Sequence, residues 1–492
     1  MSEKEHKTSG EREGSDVLEG KTVSRRQFLK IAGVAGAVVG AGAGLGGLVA
    51  ACGGTTTTTA ATTATTSPAT TATTVSGATT TVSAAAEVGR PIKIGTVTPK
   101  TGGLASFGSA DGYCLDRFKE YIGDGVLLGD GKKHPITIDA QDSQSDSSRA
   151  GQVAGTLIGN GTDIMCVASA PDTVNPVADQ CEANGVPCLC TDDPWQAFIF
   201  GRKGTMTTAF KWTYLFCFGV EDVVVNYEKV WVGLPTNKVV GAMWPNDADG
   251  ATFSDPKTGF PPLLTASGLT LVDAGRWQDG TEDFTAEISK FKKAGAEVMV
   301  GVFNPPDFTN FWRQAKQQGW SPKIATIDKA ILFPQSLEAL GDLGFGLVSN
   351  LWWSPTRPYK SYFTGESCQA WADEFTKRTS QQWTQPLMHV TIFEMALWAL
   401  QNATDPTSKD AIIAAVQKMK FASIGGPIDF TAPVTAQPTP GIGHVHPNVY
   451  KCPAVAGQWV KGTKFKYDVV VVDNTAAPDL PIEAPLTPIP AA

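Results

Sequence analysis

Histidine is scarce in this chain, with five among 492 residues, and no pattern that sets a histidine to catalytic work is present. There is no Gly-x-Ser-x-Gly turn, no His-Glu-x-x-His helix and no phosphate-cradling loop. His444-Val445-His446 pairs two imidazoles beside Pro447, but no further ligand stands near them in sequence. Nucleophile, base and orienter therefore cannot be assembled. The expectation is no enzyme, no catalytic residue, no cofactor and no metal. A surplus of positive charge is also missing: 40 Lys and Arg face 48 Asp and Glu, a formal net charge of −8. Such a chain lacks the basic surface that nucleic acid requires of a partner. A third absence is local. Residues 53–86 carry almost no charge and no apolar period, only Thr, Ala, Ser and Gly with one Pro and little else. That composition cannot bury enough surface to offset the entropy of ordering, so residues 52–89 read as a flexible tether. Its dense threonine is also compatible, on composition alone, with O-glycosylation.

What is present begins ahead of the tether. Ser24-Arg25-Arg26-Gln27-Phe28-Leu29-Lys30 precedes a mild, Gly- and Ala-rich apolar stretch from Ile31 to Ala51. The paired arginines resemble the twin-arginine export signal of bacteria. Leu48-Val49-Ala50-Ala51-Cys52-Gly53 resembles a lipobox, whose small residues fit a peptidase groove and whose thiol accepts a lipid. The order of these parts predicts a signal peptide over 1–51 and lipidation at Cys52. The protein is then extracytoplasmic, moored to the membrane at the cell surface or in the periplasm. A single acyl chain binds membranes only marginally, so stable mooring takes a multiply acylated cysteine.

Eight cysteines remain beyond Cys52. In an oxidising compartment an even number is compatible with disulfides, and Cys181–Cys188 is the first candidate pair. Buried free thiols are the alternative, since cysteine is among the most buried residue types.

From residue 92 onward strand and helix patterns alternate. Ile92–Val97 reads as a buried strand, and Ala150, Val153, Ala154, Leu157 and Ile158 recur at helical spacing. Val186–Cys190, Lys238–Trp244, Glu297–Phe303 and Lys323–Ile327 read as further strands between helical segments. Repeated βα alternation predicts parallel sheets covered by helices on both faces. Two such runs, meeting near 212–220, predict two α/β lobes with a ligand cleft beyond the carboxyl ends of the strands.

The order of short segments carries a resemblance. Ile92-Lys93-Ile94-Gly95, Thr101-Gly102-Gly103, Gln141-Asp142-Ser143, Ala168-Ser169-Ala170 and Gly185-Val186-Pro187 are followed by Asp283-Phe284-Thr285-Ala286 and Lys292-Lys293-Ala294-Gly295-Ala296. Over about 90 to 470 the chain resembles the substrate-binding proteins of branched-chain amino acid ABC transporters. The resemblance implies an α/β, two-lobed type I periplasmic-binding-protein fold, each lobe a parallel sheet flanked by helices, with three inter-lobe crossings near 213, 354 and 425. The expected lobes are 90–213 plus 355–425 and 214–354 plus 426–475, before a Pro-rich, unstructured tail over 476–492. The implied action is hinged closure of a monomer on a small-molecule ligand, followed by delivery to ABC permease subunits. A ligand-sensing receptor domain of the same fold is the alternative.

The resemblance also suggests the site. In the first lobe it points to Ser106 and Phe107, to Ser169, Ala170 and Thr173 at a helix start, and to Thr191, Asp192, Asp193 and Trp195 after a strand. Helix capping and turn chemistry remain alternatives for these positions. In the second lobe it points to Asp249, Phe303, Asn304 and Asp328. Trp352 and Trp353 at a crossing suggest, with Trp195, an aromatic-lined cleft, Trp353 being the expected ligand contact. Asp328 stands where the family keeps an acid for the ligand ammonium. Asp192, Asp193 and Asp249 depart from the family, which has small hydroxyl residues or an aromatic there. The expected cargo is a small amphipathic solute, an amino acid or a related amide or aromatic compound.

Overall fold

Two sheets organise the computed structural model, which describes residues 86–432, 435–439 and 442–490. The export signal and Cys52 lie outside the described residues. The first sheet holds β1 (Ile92–Thr98), β2 (Ile136–Asp142), β3 (Ile164–Ala168), β4 (Cys188–Thr191) and β5 (Thr213–Phe216). The second holds β6 (Val239–Pro245), β7 (Thr270–Trp277), β8 (Val298–Val302), β9 (Ile324–Asp328) and β10 (Val348–Leu351). Within each set all pairings are parallel. Late in the chain β11 (Val449–Tyr450) joins the first sheet beside β5, and β12 (Val455–Lys461) and β13 (Tyr467–Asp473) extend the second sheet antiparallel. The strand orders are β11-β5-β4-β3-β1-β2 and β13-β12-β10-β9-β8-β6-β7.

The central strands read as near-continuous apolar runs because both faces are covered. β3, β4, β8 and β9 are buried along their whole length. Helix α1 (Asp111–Ile122) and helix α2 (Ser147–Gly159) flank the first sheet, and α2 buries Ala150, Val153, Ala154 and Leu157, the stripe its spacing predicts. No helix among the described residues is long and apolar enough to cross a membrane.

The chain passes between the sheets after β5, after β10 and after β11. The third passage falls at 451–454, not near 425. The 420–429 segment is instead a two-stranded hairpin held on the first lobe, where the buried carboxylate of Glu394 accepts the Ile424 amide at 3.0 Å. The strand β12 was not anticipated, because Gly457-Gln458 interrupts its apolar alternation. The described part of the C-terminal tail, to residue 490, forms no helix or strand, yet it is pinned rather than loose. Ile489 N donates to Lys323 O at 2.8 Å, Thr487 N to Gln458 Oε1 at 3.0 Å, and Leu480 is buried.

Polar side chains stitch the passages together. Arg357 is buried and donates to Leu351 O at 2.7 Å and Pro453 O at 2.9 Å, tying the second passage to the third. Lys451 donates to Glu221 at 2.9 Å and Asp222 at 2.5 Å, tying the third to the first. Burial pushes the Asp222 carboxyl up to about 7 despite that lysine. Replacing Arg357 by Met would remove both hydrogen bonds, at about 0.5–1.5 kcal/mol each, and more where a buried carbonyl is left without a donor. Urea unfolding of Arg357→Met should show that loss; a change under ~0.5 kcal/mol, ordinary for a surface site, would refute the role of Arg357 as a stitch.

Candidate functional site

The carboxyl ends of both sheets converge on one cavity of about 20 Å³, room for roughly a water molecule. Its walls come from both lobes: Phe107, Ala170, Pro171, Asp192 and Pro194 from the first, and Phe253, Val302, Asp328, Lys329 and Leu332 from the second. Phe218 and Trp352, from two of the passages, complete it together with Asp249. The lobes are thus closed on each other. The Phe107 and Phe333 rings meet edge-to-face across the gap, their centroids 4.7 Å apart.

Lys329 dominates the electrostatics. Its ammonium lies 3.0 Å from Asp172 of the first lobe, and 3.2 Å and 3.0 Å from Asp247 and Asp249 of the second. The residue is 4% exposed. Burial alone would pull its pKa down, but the three carboxylates override this and raise it well above the ordinary lysine value. Asp172, Asp247 and Asp249 are also the one group of carboxylates among the described residues with metal-ligand spacing, their oxygens within 4.8 Å of one another. The lysine supplies the positive charge there. Asp172 reaches this point from the first turn of helix α3 (Pro171–Asn184). Asp247 caps helix α4 (Ala248–Phe253), accepting Gly250 N at 2.7 Å. Gly250 is required, since a Cβ there would fall 1.8 Å from the Pro245 carbonyl oxygen.

Lys329 immediately follows β9 and has φ +65°; Asp192 immediately follows β4 and has φ +62°. Both are left-handed non-glycine residues, a conformation that costs of order 1 kcal/mol and turns the side chain out of the strand's alternation. Asp192 is held from behind by His389, whose Nε2 donates to Asp192 Oδ2 while Nδ1 donates to Asp111 Oδ1 at 2.6 Å. Burial opposes the imidazolium, but Asp192 and Asp111 outweigh it and push the pKa up to about 10. Asp328 accepts the Lys329 amide on Oδ1 at 2.7 Å, and burial lifts its carboxyl to about 6. Burial likewise lifts Asp249 to about 7 against the pull of Lys329.

Of the residues expected to bind ligand, Phe107, Ala170, Asp192, Asp249 and Asp328 line the cavity. The others do not. Thr173 is buried within α3, and Thr191 Oγ1 donates to Phe216 O at 2.7 Å. Trp195 donates to Glu221 at 3.0 Å beside the first passage. Phe303 stacks on Trp277 in the second core, and Asn304 is the residue preceding a helix over Pro305–Gln317. Ser106 sits half-buried in a short turn over Ala105–Gly108. Ser169 and Asp193 are buried behind the wall with unpartnered oxygens. Trp353 points into the core, donating to Ile424 O at 3.2 Å, and its neighbour Trp352 is the lining residue. Cys181 and Cys188 do not pair; both are buried free thiols, and Cys188 Sγ lies 3.6 Å from Cys190 Sγ instead. Residue spacing gave no sign of Lys329, Asp172 or His389, though a Lys directly after the Asp that ends a strand was a signal available for the first.

A family model described as periplasmic binding protein matches residues 91–442. Among solved structures the chain is similar to a leucine binding protein LivK from Thermotoga maritima, at 17% identity over 79% of this chain and 100% of that one, TM-score 0.62. It is similar to the branched-chain amino acid transporter substrate binding protein LivJ from Streptococcus pneumoniae, solved in complex with isoleucine, at 15% identity over 77% and 99%, TM-score 0.58. A solute binding protein of an ABC transporter from Rhodopseudomonas palustris, solved with 3,4-dihydroxybenzoic acid, matches at 17% identity over 78% and 99%, TM-score 0.58.

The His389 clamp has a pH signature. A base whose folded pKa stands at about 10, above its ordinary 6.5, contributes stability in full below 6.5. That contribution is lost as pH rises through 10. Denaturant unfolding between pH 6.5 and 10 should therefore show wild-type stability falling towards that of His389→Gln; parallel curves would rule the charged clamp out.

Proposed function

Because the chain belongs to the periplasmic binding protein family, we propose that it is the extracytoplasmic solute receptor of an ABC importer, moored by lipid on Cys52. Its lobes hinge shut on a small amphipathic solute and present the closed form to a membrane permease. The observation that carries this reading is the cavity at the carboxyl ends of both sheets, walled from both lobes and spanned by the Lys329–Asp172 ion pair. A cavity of about 20 Å³ cannot admit an amino acid without the lobes separating, so binding and hinge motion are one event. The three stitched passages are where such motion concentrates. The solved relatives hold solutes as different as isoleucine and 3,4-dihydroxybenzoic acid, so the cargo has to be read from this chain's own cavity.

Ligand that binds only the folded state raises the melting temperature by mass action. A thermal-shift screen of amino acids, amides, amines and aromatic acids should find at least one stabilising class; no shift at millimolar concentrations would defeat the receptor reading. The mooring is tested separately. In detergent phase partition the exported wild type should enter the detergent phase and Cys52→Ala the aqueous phase. Equal partition of the two would remove the lipid from Cys52.

A further inference from the structure

We propose that the cargo is a cationic amine or amidine that carries no free carboxylate. The inference rests on the receptor reading above and narrows it. Three observations lead to it.

The cations near the cavity are already committed. Lys329 is the only basic residue among those lining it, and three carboxylates surround its ammonium. His389, behind the wall, is shared by Asp111 and Asp192. An incoming carboxylate would have to take Lys329 from three rivals that are covalently held in place.

The helix start that faces the cavity offers an anion little. Backbone N–H groups at such a start are the usual receptor for a carboxylate. Here α3 opens on Pro171, which has no N–H, and the Thr173 amide is spent on Ala170 O at 3.0 Å. The carboxylate of Asp172 occupies the same first turn.

Acceptors, by contrast, are left over. Asp192 and Asp328 line the cavity from opposite lobes, 5% and 6% exposed, and each has one oxygen without a hydrogen-bond partner. Their other oxygens are fixed, Asp192 by His389 and Asp328 by the Lys329 amide, so both free oxygens have a set direction. The Tyr227 hydroxyl stands close enough to Asp328 to stabilise its charged form, short of full hydrogen-bond geometry, and an incoming cation competes with it there. A protonated amine or amidine has several donors on one small head and can engage both carboxylates at once, drawing the lobes together over it. Phe107, Phe218, Phe253 and Trp352 offer ring surfaces for the rest of the solute and for the cation itself.

The test uses matched pairs that differ only by the carboxylate: leucine and isoamylamine, phenylalanine and phenethylamine, arginine and agmatine. Calorimetric titration of the full chain should find at least one amine bound about tenfold or more tighter than its parent amino acid. Asp192→Asn and Asp328→Asn should each erase that preference. If the parent amino acids bind as well as their amines, or an aromatic acid binds and no amine does, the cationic cargo is overturned and the receptor reading stands. If no member of the panel binds, the cationic cargo is overturned, and the receptor reading falls with it only where the wider thermal-shift screen is empty too. The comparison within each pair is made on wild-type protein and does not depend on either variant folding.

Discussion

A single buried ammonium, that of Lys329, sets the arrangement of the cleft. Removing such a group from water costs several kcal/mol even after relaxation, as rough experience with buried ions indicates. Three carboxylates within 3.0–3.2 Å offset that cost. One of them, Asp172, belongs to the opposite lobe, so the compensation is complete only when the lobes are together. Separating them exposes the ammonium and Asp172 to water, which solvates both. The pair therefore resists opening only modestly, because water replaces what the protein withdraws. A strained left-handed backbone at Lys329 is part of the same arrangement, and its cost is of the order of 1 kcal/mol.

The two lobes solve their part of the problem in matching ways. β4 and β9 occupy equivalent places in their sheets, next to β3 and β8 respectively. Each ends at the cleft, and the next residue turns left-handed and delivers a charged side chain, Asp192 in one lobe and Lys329 in the other. Each charge is then met by opposite partners: Asp192 by the His389 imidazolium, which it shares with Asp111, and Lys329 by three aspartates. The charges do not meet each other. That separation leaves one oxygen of Asp192 and one of Asp328 unclaimed at the cavity wall. In both clusters the carboxylates outnumber the cation, so the site has a definite sign, and it is negative.

Much of the fold was legible before any coordinates. The alternation from Ile92 onward encodes two parallel sheets, because buried parallel strands must be apolar on both faces and their helices must carry a stripe. The cavity residues Phe107, Ala170, Asp192, Asp249 and Asp328 came from the family resemblance, which fixes positions along the chain that periodicity alone does not mark. The misses have local physical causes. Trp352 and Trp353 differ by one position, and in an extended segment one position reverses the face. Lys329 lies just past the strand end, where a left-handed φ redirects a side chain that alternation would have sent elsewhere. His389 is distant from Asp192 in sequence, so only the tertiary structure makes them a pair. The tail gave a composition of loops, and composition is silent on the hydrogen bonds by which Ile489 and Thr487 hold it to the second lobe.

The hinge and the site obey different economies of charge. At the passages, Lys451 bridges Glu221 and Asp222, and Arg357 is satisfied by carbonyls alone, so every partner lies within or beside the crossing segments. Under the proposed hinge motion those contacts would survive a rotation of the lobes about them. In the cleft the decisive contact is between lobes and cannot survive it. A molecule that keeps its hinge interactions in both states and exchanges only its cleft interactions has a small energy difference between open and closed. Under that condition a solute that supplies donors to Asp192 and Asp328 is able to decide between them, since a ligand shifts an equilibrium only by its differential affinity for the two states.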